Sequence, residues 1–147
     1  MFRSTRTLRR FTIGALSAAA LAGAFGVGAV VAQQQTTATK ITPLMKQVIS
    51  EYPGHEVTML TLDMPPGGGS PPHRHPGHHI FGYVLEGAYA IKLDDGPERT
   101  LTKGETFYEV PGQLHAVSRN ASETTPAKVL VVILAESGKP ITVPEHP

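Results

Sequence analysis

The chain contains no cysteine. That excludes a disulfide framework, a lipid-modified cysteine and a thiol nucleophile, so stability must come from packing, helped by a metal or by self-association. Acidic residues are missing from the first 32 positions: all 12 lie further on, while four of the 13 basic residues (Arg3, Arg6, Arg9 and Arg10) open the chain. The part after residue 32 therefore has nine basic residues against twelve acidic ones, a net charge of −3 with histidines neutral. No basic stripe is present there, which argues against nucleic acid as a partner. A sustained helical period is also absent beyond residue 32, so the apolar residues there point to strands.

The opening segment reads as an address label. Four arginines precede an uncharged stretch from Phe11 to Ala32 rich in Ala, Gly and Val, and Val30 and Ala32 supply small residues at the −3 and −1 positions of a signal-peptidase site. Residues 1–32 are thus expected to be a cleaved signal peptide, giving a periplasmic or secreted protein. Arg9-Arg10 followed by Phe11 is compatible with a twin-arginine signal, which exports folded protein. The minor alternative is an uncleaved membrane anchor, since the apolar stretch exceeds the ~18 residues that suggest a span. Gly14, Gly23, Gly26 and Gly28 lower its hydrophobicity and favour cleavage.

Residues 33–147 suit one domain with one core: a linker over 33–43, a barrel domain over 44–137 and a Pro-rich tail over 138–147. Short apolar runs alternate with turn residues, the rhythm of an all-β domain. The expected strands are 46–50, 55–63, 79–85, 88–93, 99–101, 106–110, 116–119 and 128–135. Asp95-Gly96 is placed for a hairpin turn, Gly104 for another, and Pro111-Gly112 breaks the chain just before His115. The tail, with three prolines, is expected to lie across the surface or a partner instead of joining a sheet centre.

The stretch SPPHRHPGHHIFGYVLEG, residues 70–87, holds four of the seven histidines. His73 and His75 are two apart, so in extended backbone both project to one side and can share an ion. His115, preceded by its own Pro-Gly turn, is a third donor that antiparallel pairing can bring alongside. Imidazole suits zinc, iron, nickel and copper. The bland reading is a solvated loop with scattered histidines, and Phe81, Tyr83, Phe107 and Tyr108 read as core packing at this regular spacing.

These two segments resemble the two motifs of the cupin superfamily. The first family motif runs glycine, five residues, H-x-H, three or four residues, glutamate, six residues, glycine; here Gly67 is followed five residues later by His73-Arg74-His75, and YVLEG closes at Gly87. The second appears as GETFYEVPGQLHAVSRN, with Gly104, Gly112 and His115 in register and Pro111 and Asn120 each one place late. The first motif lacks its glutamate: one count lands on His79, the other on Ile80. The fourth ligand is therefore either His79, giving an all-histidine site, or missing, leaving three histidines and an open face. Strand alternation does not decide, because a one-residue bulge would reverse which of His78 and His79 points inward. His78 reads as a residue supporting the ligands or facing substrate, and Glu86 as a rim residue.

The resemblance implies an all-β jelly-roll (double-stranded β-helix) barrel with a divalent transition metal at its mouth and a homodimer formed by sheet edges. Neutral imidazoles alone leave the full charge on the ion, which favours Fe, Zn, Ni or Cu over Mn. Function is then expected to be that of a metalloenzyme, an oxygenase, lyase or isomerase acting on a small polar molecule. A non-catalytic binding module for a small ligand or metal, and a structural barrel with vestigial histidines, are the rivals. In the enzyme reading His73, His75 and His115 hold the ion and His79 or His78 serves as a further ligand or as acid/base, with no catalytic residue beyond these.

Overall fold

The computed structural model of the chain describes residues 38 to 145, so the expected signal peptide or anchor over 1–32 lies outside the described residues. Eleven strands occur among them: β1 (Lys40–Val48), β2 (His55–Met64), β3 (Gly69–Ser70), β4 (His73–Arg74), β5 (His79–Glu86), β6 (Ala88–Leu93), β7 (Arg99–Thr102), β8 (Thr106–Glu109), β9 (Leu114–Asn120), β10 (Ala127–Glu136) and β11 (Val143–Pro144). They form two sheets, ordered β1-β2-β10-β5-β8 and β11-β4-β9-β6-β7, with β3 also pairing β9. All the pairings between named strands are antiparallel, the arrangement of a jelly roll. None of the described residues belongs to a helix long and apolar enough to cross a membrane.

The alternation read from the sequence is what closes the barrel. Along β10, Ala127, Val129, Val131, Ile133 and Ala135 are buried, and the residues between them are only half-buried. β10 lies between β2 and β5, so its inward side chains meet neighbours from both strands and from the opposite sheet. Fully burying one such aliphatic side chain is worth about 1.5–3 kcal/mol. On β5 the inward set is Ile80, Gly82 and Val84. Gly82 has a steric reason: a Cβ there would sit 2.0 Å from the ring of Phe107, its partner across β8.

Most expected strands are present within a residue or two, and the departures have local causes. β1 opens at Lys40, inside the stretch read as linker, because Pro43 lies on an edge strand where the register slips between Pro43 and Met45. An edge tolerates the missing N–H of proline. β3, β4 and β11 are two residues long, too short to carry a readable period. At the β6–β7 hairpin the left-handed residue is Asp94 (φ 48°), not the expected Asp95-Gly96 pair. Asp94 is held there by Leu114, whose N–H donates to the Asp94 carboxylate (3.0 Å) and whose carbonyl accepts the Asp94 N–H (2.8 Å).

The tail does more than cross the surface. β11 joins the edge of the second sheet beside β4, pairing Val143 with Arg74 and Pro144 with His73. The Arg74 guanidinium donates to both oxygens of Glu145, at 2.8 and 3.0 Å. The tail is thereby tied to the segment that carries the histidines.

Candidate metal centre

His73 and His115 are direct partners across β4 and β9, which fixes their rings side by side. Their centroids are 4.9 Å apart, and that of His75 lies 4.9 Å from His73. One nitrogen from each of the three rings falls within 4.8 Å of the other two, a group that could hold a metal ion. All three residues are buried. Each ring also has its other nitrogen engaged. His73 Nδ1 donates to the carbonyl of Pro71 (2.8 Å), His75 Nδ1 donates to the carbonyl of Ile141 in the tail (2.6 Å), and His115 Nε2 lies 3.2 Å from the Tyr89 hydroxyl. Such outer hydrogen bonds fix the tautomer and aim the remaining lone pair.

Electrostatics favour neutral rings. Burial pushes the pKa of His73 and His75 below the usual imidazole value, outweighing the hydrogen bonds to Pro71 and Ile141 that act the other way. A neutral imidazole is the form that ligates.

Glu109 is the residue the sequence reading missed. It ends β8, is 1 % exposed, and pairs directly with Ile80 on β5. Its Oε1 lies 3.1 Å from His115 Nδ1 and its Oε2 4.0 Å from His75 Nε2. The nearer pair is close enough for attraction but out of line for a hydrogen bond and the farther one is too long for it, so His115 Nδ1 and Glu109 Oε2 are both buried without a hydrogen-bond partner. Buried polar atoms are rarely left so. Two stranded donor atoms beside two free imidazole nitrogens are what a cation site requires, and this donor set fits a divalent metal. A signal for Glu109 was available: on a strand, residues two apart share a face, so an inward Phe107 carries Glu109 inward with it.

His79, expected as a fourth ligand, stands outside the group. β5 continues its alternation without a bulge at this end, so Ile80 turns inward and His79 outward. The His79 ring instead hydrogen-bonds the Tyr108 hydroxyl (2.6 Å) and stacks on its ring. His78 is fully buried yet also away from the group. Its Nδ1 accepts the N–H of Glu136 and its Nε2 donates to the carbonyl of Pro140, which makes it a structural link between the histidine loop and the tail. Phe107 packs in the core as expected, but Phe81, Tyr83 and Tyr108 are exposed on the outer face of the first sheet, because β5 and β8 alternate in step. Glu86 is exposed at the end of β5.

A cavity of about 110 Å³ opens beside the three histidines and Glu109. Its other walls are mainly aliphatic, from β1, β2, β5, β10 and the tail, with Tyr89, Ser118, Ser70 and Thr142 as the hydroxyl-bearing members. The arrangement can hold an ion on one side and a small molecule on the other.

Comparison with known proteins agrees with this architecture. The Cupin domain family model matches residues 60–133. The rhicadhesin receptor of Pisum sativum is 36% identical over 78 residues, which cover 50% of this chain and 35% of that protein. An oxalate oxidase of Triticum aestivum is 32% identical over 106 residues, covering 65% of this chain and 46% of that one. The chain thus spans about a third to a half of the length of these curated relatives. Among solved structures, an oxalate oxidase in complex with the substrate analogue glycolate superposes with a TM-score of 0.57 at 25% identity, covering 75% of this chain and 56% of that one. On the matched family model, the two histidine motifs and the antiparallel barrel, the chain belongs to the cupin family.

Proposed function

We propose that the chain is an exported cupin metalloenzyme in which His73, His75, His115 and Glu109 hold one divalent transition metal, with an open position facing the cavity. The observation that carries this reading is the pair of stranded atoms, His115 Nδ1 and Glu109 Oε2, buried beside two further imidazole nitrogens without a hydrogen-bond partner. A structural barrel would have little reason to retain them, because each unpaired buried polar group costs about 1–3 kcal/mol. The bound metal would supply Lewis acidity toward an oxygen of the small molecule. Pro71, Ile141 and Tyr89 orient the rings, the aliphatic walls exclude water, and the lone pairs of His73 and His75 stay available because burial keeps those rings neutral.

The reaction class is that of an oxygenase, lyase or isomerase. With Glu109 in the donor set, an oxygen ligand joins three nitrogens, and imidazoles alone no longer rank Fe, Zn, Ni or Cu above Mn. The second reading, a non-catalytic binder of a small molecule, is favoured by the cavity walls, which offer hydroxyls but no titratable side chain other than Glu109, Tyr89 and the three histidines. Export to the periplasm or the exterior rests on the basic and apolar character of residues 1–32. A homodimer through sheet edges is supported by the exposed apolar Ile41, Leu44 and Val48 on the edge strand β1.

Elemental analysis of the full chain purified from its native compartment tests the metal. About one transition-metal ion per chain is expected, falling to a small fraction in His75→Ala and His115→Ala. Metal-free protein, or variants that keep their metal, overturns the proposal. Turnover that disappears on chelation and returns with the metal separates the enzyme from the binder.

A further inference from the structure

The cavity is polar at one end only. Its metal-binding side holds three imidazoles, one carboxylate and the hydroxyls of Ser70, Tyr89, Ser118 and Thr142, of which Tyr89 and Ser118 bond each other, whereas the wall from β2 and β10 is aliphatic: Leu60, Leu62, Val131 and Ile133. No lysine, arginine, asparagine or glutamine lines it. The lining residues Val131, Ile133 and Ile80 are 6 % exposed or less, so this wall is fixed by core packing and cannot swing a distant cation into place. Size is limited as well. About 110 Å³ is less than the ~150 Å³ of an apolar cavity that takes up benzene, so the part of a ligand held inside is small.

Charge narrows the class further. A divalent ion with Glu109 leaves one positive charge in a buried site, and one anionic head on the ligand neutralises it. A second negative charge on the far end of the ligand would be desolvated against the aliphatic β2 and β10 wall, where no cation or hydroxyl lies to meet it, which is strongly unfavourable.

From one polar end, an aliphatic wall and a single uncompensated charge, we infer that the cavity takes a compact monoanion: one carboxylate-type head toward the ion and a short apolar body against β2, β10 and the tail. This inference rests on the metal reading above. It also sets this chain apart from a site built for a small dianion, since no lysine or arginine lines the cavity to meet a second carboxylate.

The test uses the metal-loaded full chain and isothermal titration with three probes: butanoate, 3-hydroxypropanoate and propanedioate. Butanoate and 3-hydroxypropanoate have equal numbers of non-hydrogen atoms and the same head, and differ by a hydroxyl placed where the wall is aliphatic. Burying that hydroxyl without a partner predicts butanoate to bind at least about tenfold more tightly (about 1.4 kcal/mol). Propanedioate is expected to be weaker than butanoate, with the metal retained throughout. Val131→Thr, which puts a hydroxyl on the wall at similar volume, should narrow the preference between the first two probes. Equal or reversed affinities for butanoate and 3-hydroxypropanoate in the unmodified chain overturn the inference, as does a metal-retaining complex with propanedioate as tight as that with butanoate. Metal content measured on the same sample separates the two levels: a loaded chain without the preference defeats the ligand class alone, whereas a chain that takes up no metal defeats both.

Discussion

Ile80 and Glu109 face each other across β5 and β8, both turned into the barrel, at 2 % and 1 % exposure. Ile80 is one of the two positions where the first motif would carry its glutamate, and the carboxylate stands on the neighbouring strand instead. Adjacent strands put directly paired side chains about 4.5–5.5 Å apart at Cβ, so either position can reach the same space. On the proposed reading, the carboxylate missing from the first motif is supplied by the second.

This exchange can be tested by reversing it. Glu109→Gln keeps the shape and removes the charge, and should weaken metal binding by at least about tenfold, read from competition with a chelator. Ile80→Glu alone buries a second carboxylate and should lower stability by several kcal/mol in the metal-free protein. The double variant Ile80→Glu, Glu109→Ile returns the carboxylate to the first motif and should recover much of the affinity that Glu109→Gln loses. No recovery in a folded double variant would show that Glu109 does more than supply charge to the ion.

Acid should destabilise the chelator-treated protein in a defined direction. His73 and His75 have folded pKa values lowered, chiefly by burial, while in the unfolded chain they titrate near about 6.5. Glu109 favours their charged forms, and His115 opposes them. Above about pH 6.5 both states are neutral and the stability is fully present; as pH falls, the unfolded chain takes up protons first and stability is lost until the folded rings titrate too. Denaturant midpoints between about pH 7.5 and about pH 5 should therefore fall, and fall less steeply in the double variant His73→Gln, His75→Gln. Identical slopes would refute the assignment of the loss to these two rings.

Gly82→Ala should be costly although it adds one carbon. The new Cβ would meet the Phe107 ring at 2.0 Å, and Phe107 both packs in the core and lines the cavity. Overpacking of this kind costs about 1–3 kcal/mol. The variant should melt lower and bind small monoanions more weakly. Companion Phe107→Leu on the Gly82→Ala background should recover part of the stability by making room.

Asn120 serves the fold. It is fully buried, its Nδ2 donates to the carbonyls of Met64, Pro65 and Thr125, and its Oδ1 accepts the N–H of Ser122. Asn120→Ala leaves these backbone groups without their partner and should cost about 2–4 kcal/mol in thermal or chemical unfolding. Asn120→Asp, which keeps the acceptor and loses the donor, should cost at least as much. A loss below about 0.5 kcal/mol would mean that water replaces the side chain.

The sequence by itself determined the all-β class, the positions of the longer strands, and the pairing of an H-x-H segment with a distant histidine. The first two rest on local rules. A period of two marks a half-buried strand, Gly and Pro mark the turns, and residues two apart share a face whatever the rest of the chain does. His73 and His75 were legible as a pair on those terms; His115 joined them through the resemblance of its segment to the second cupin motif.

Only the tertiary structure decided which groups stand beside them. Whether His79 or Ile80 turns inward depends on the absence of a bulge at the His79 end of β5, which pairing with β10 and β8 enforces and a single strand cannot reveal. That Glu109 stands beside His75 and His115 depends on its register against Ile80, a pairing between residues 29 positions apart in sequence. The tail's carbonyls reach His75 and His78 only because β11 pairs with β4, and a two-residue strand leaves no periodic trace. Side-chain alternation is a property of one strand, but which strands lie side by side is settled by the packing of the whole barrel, and the character of this site is set at that level.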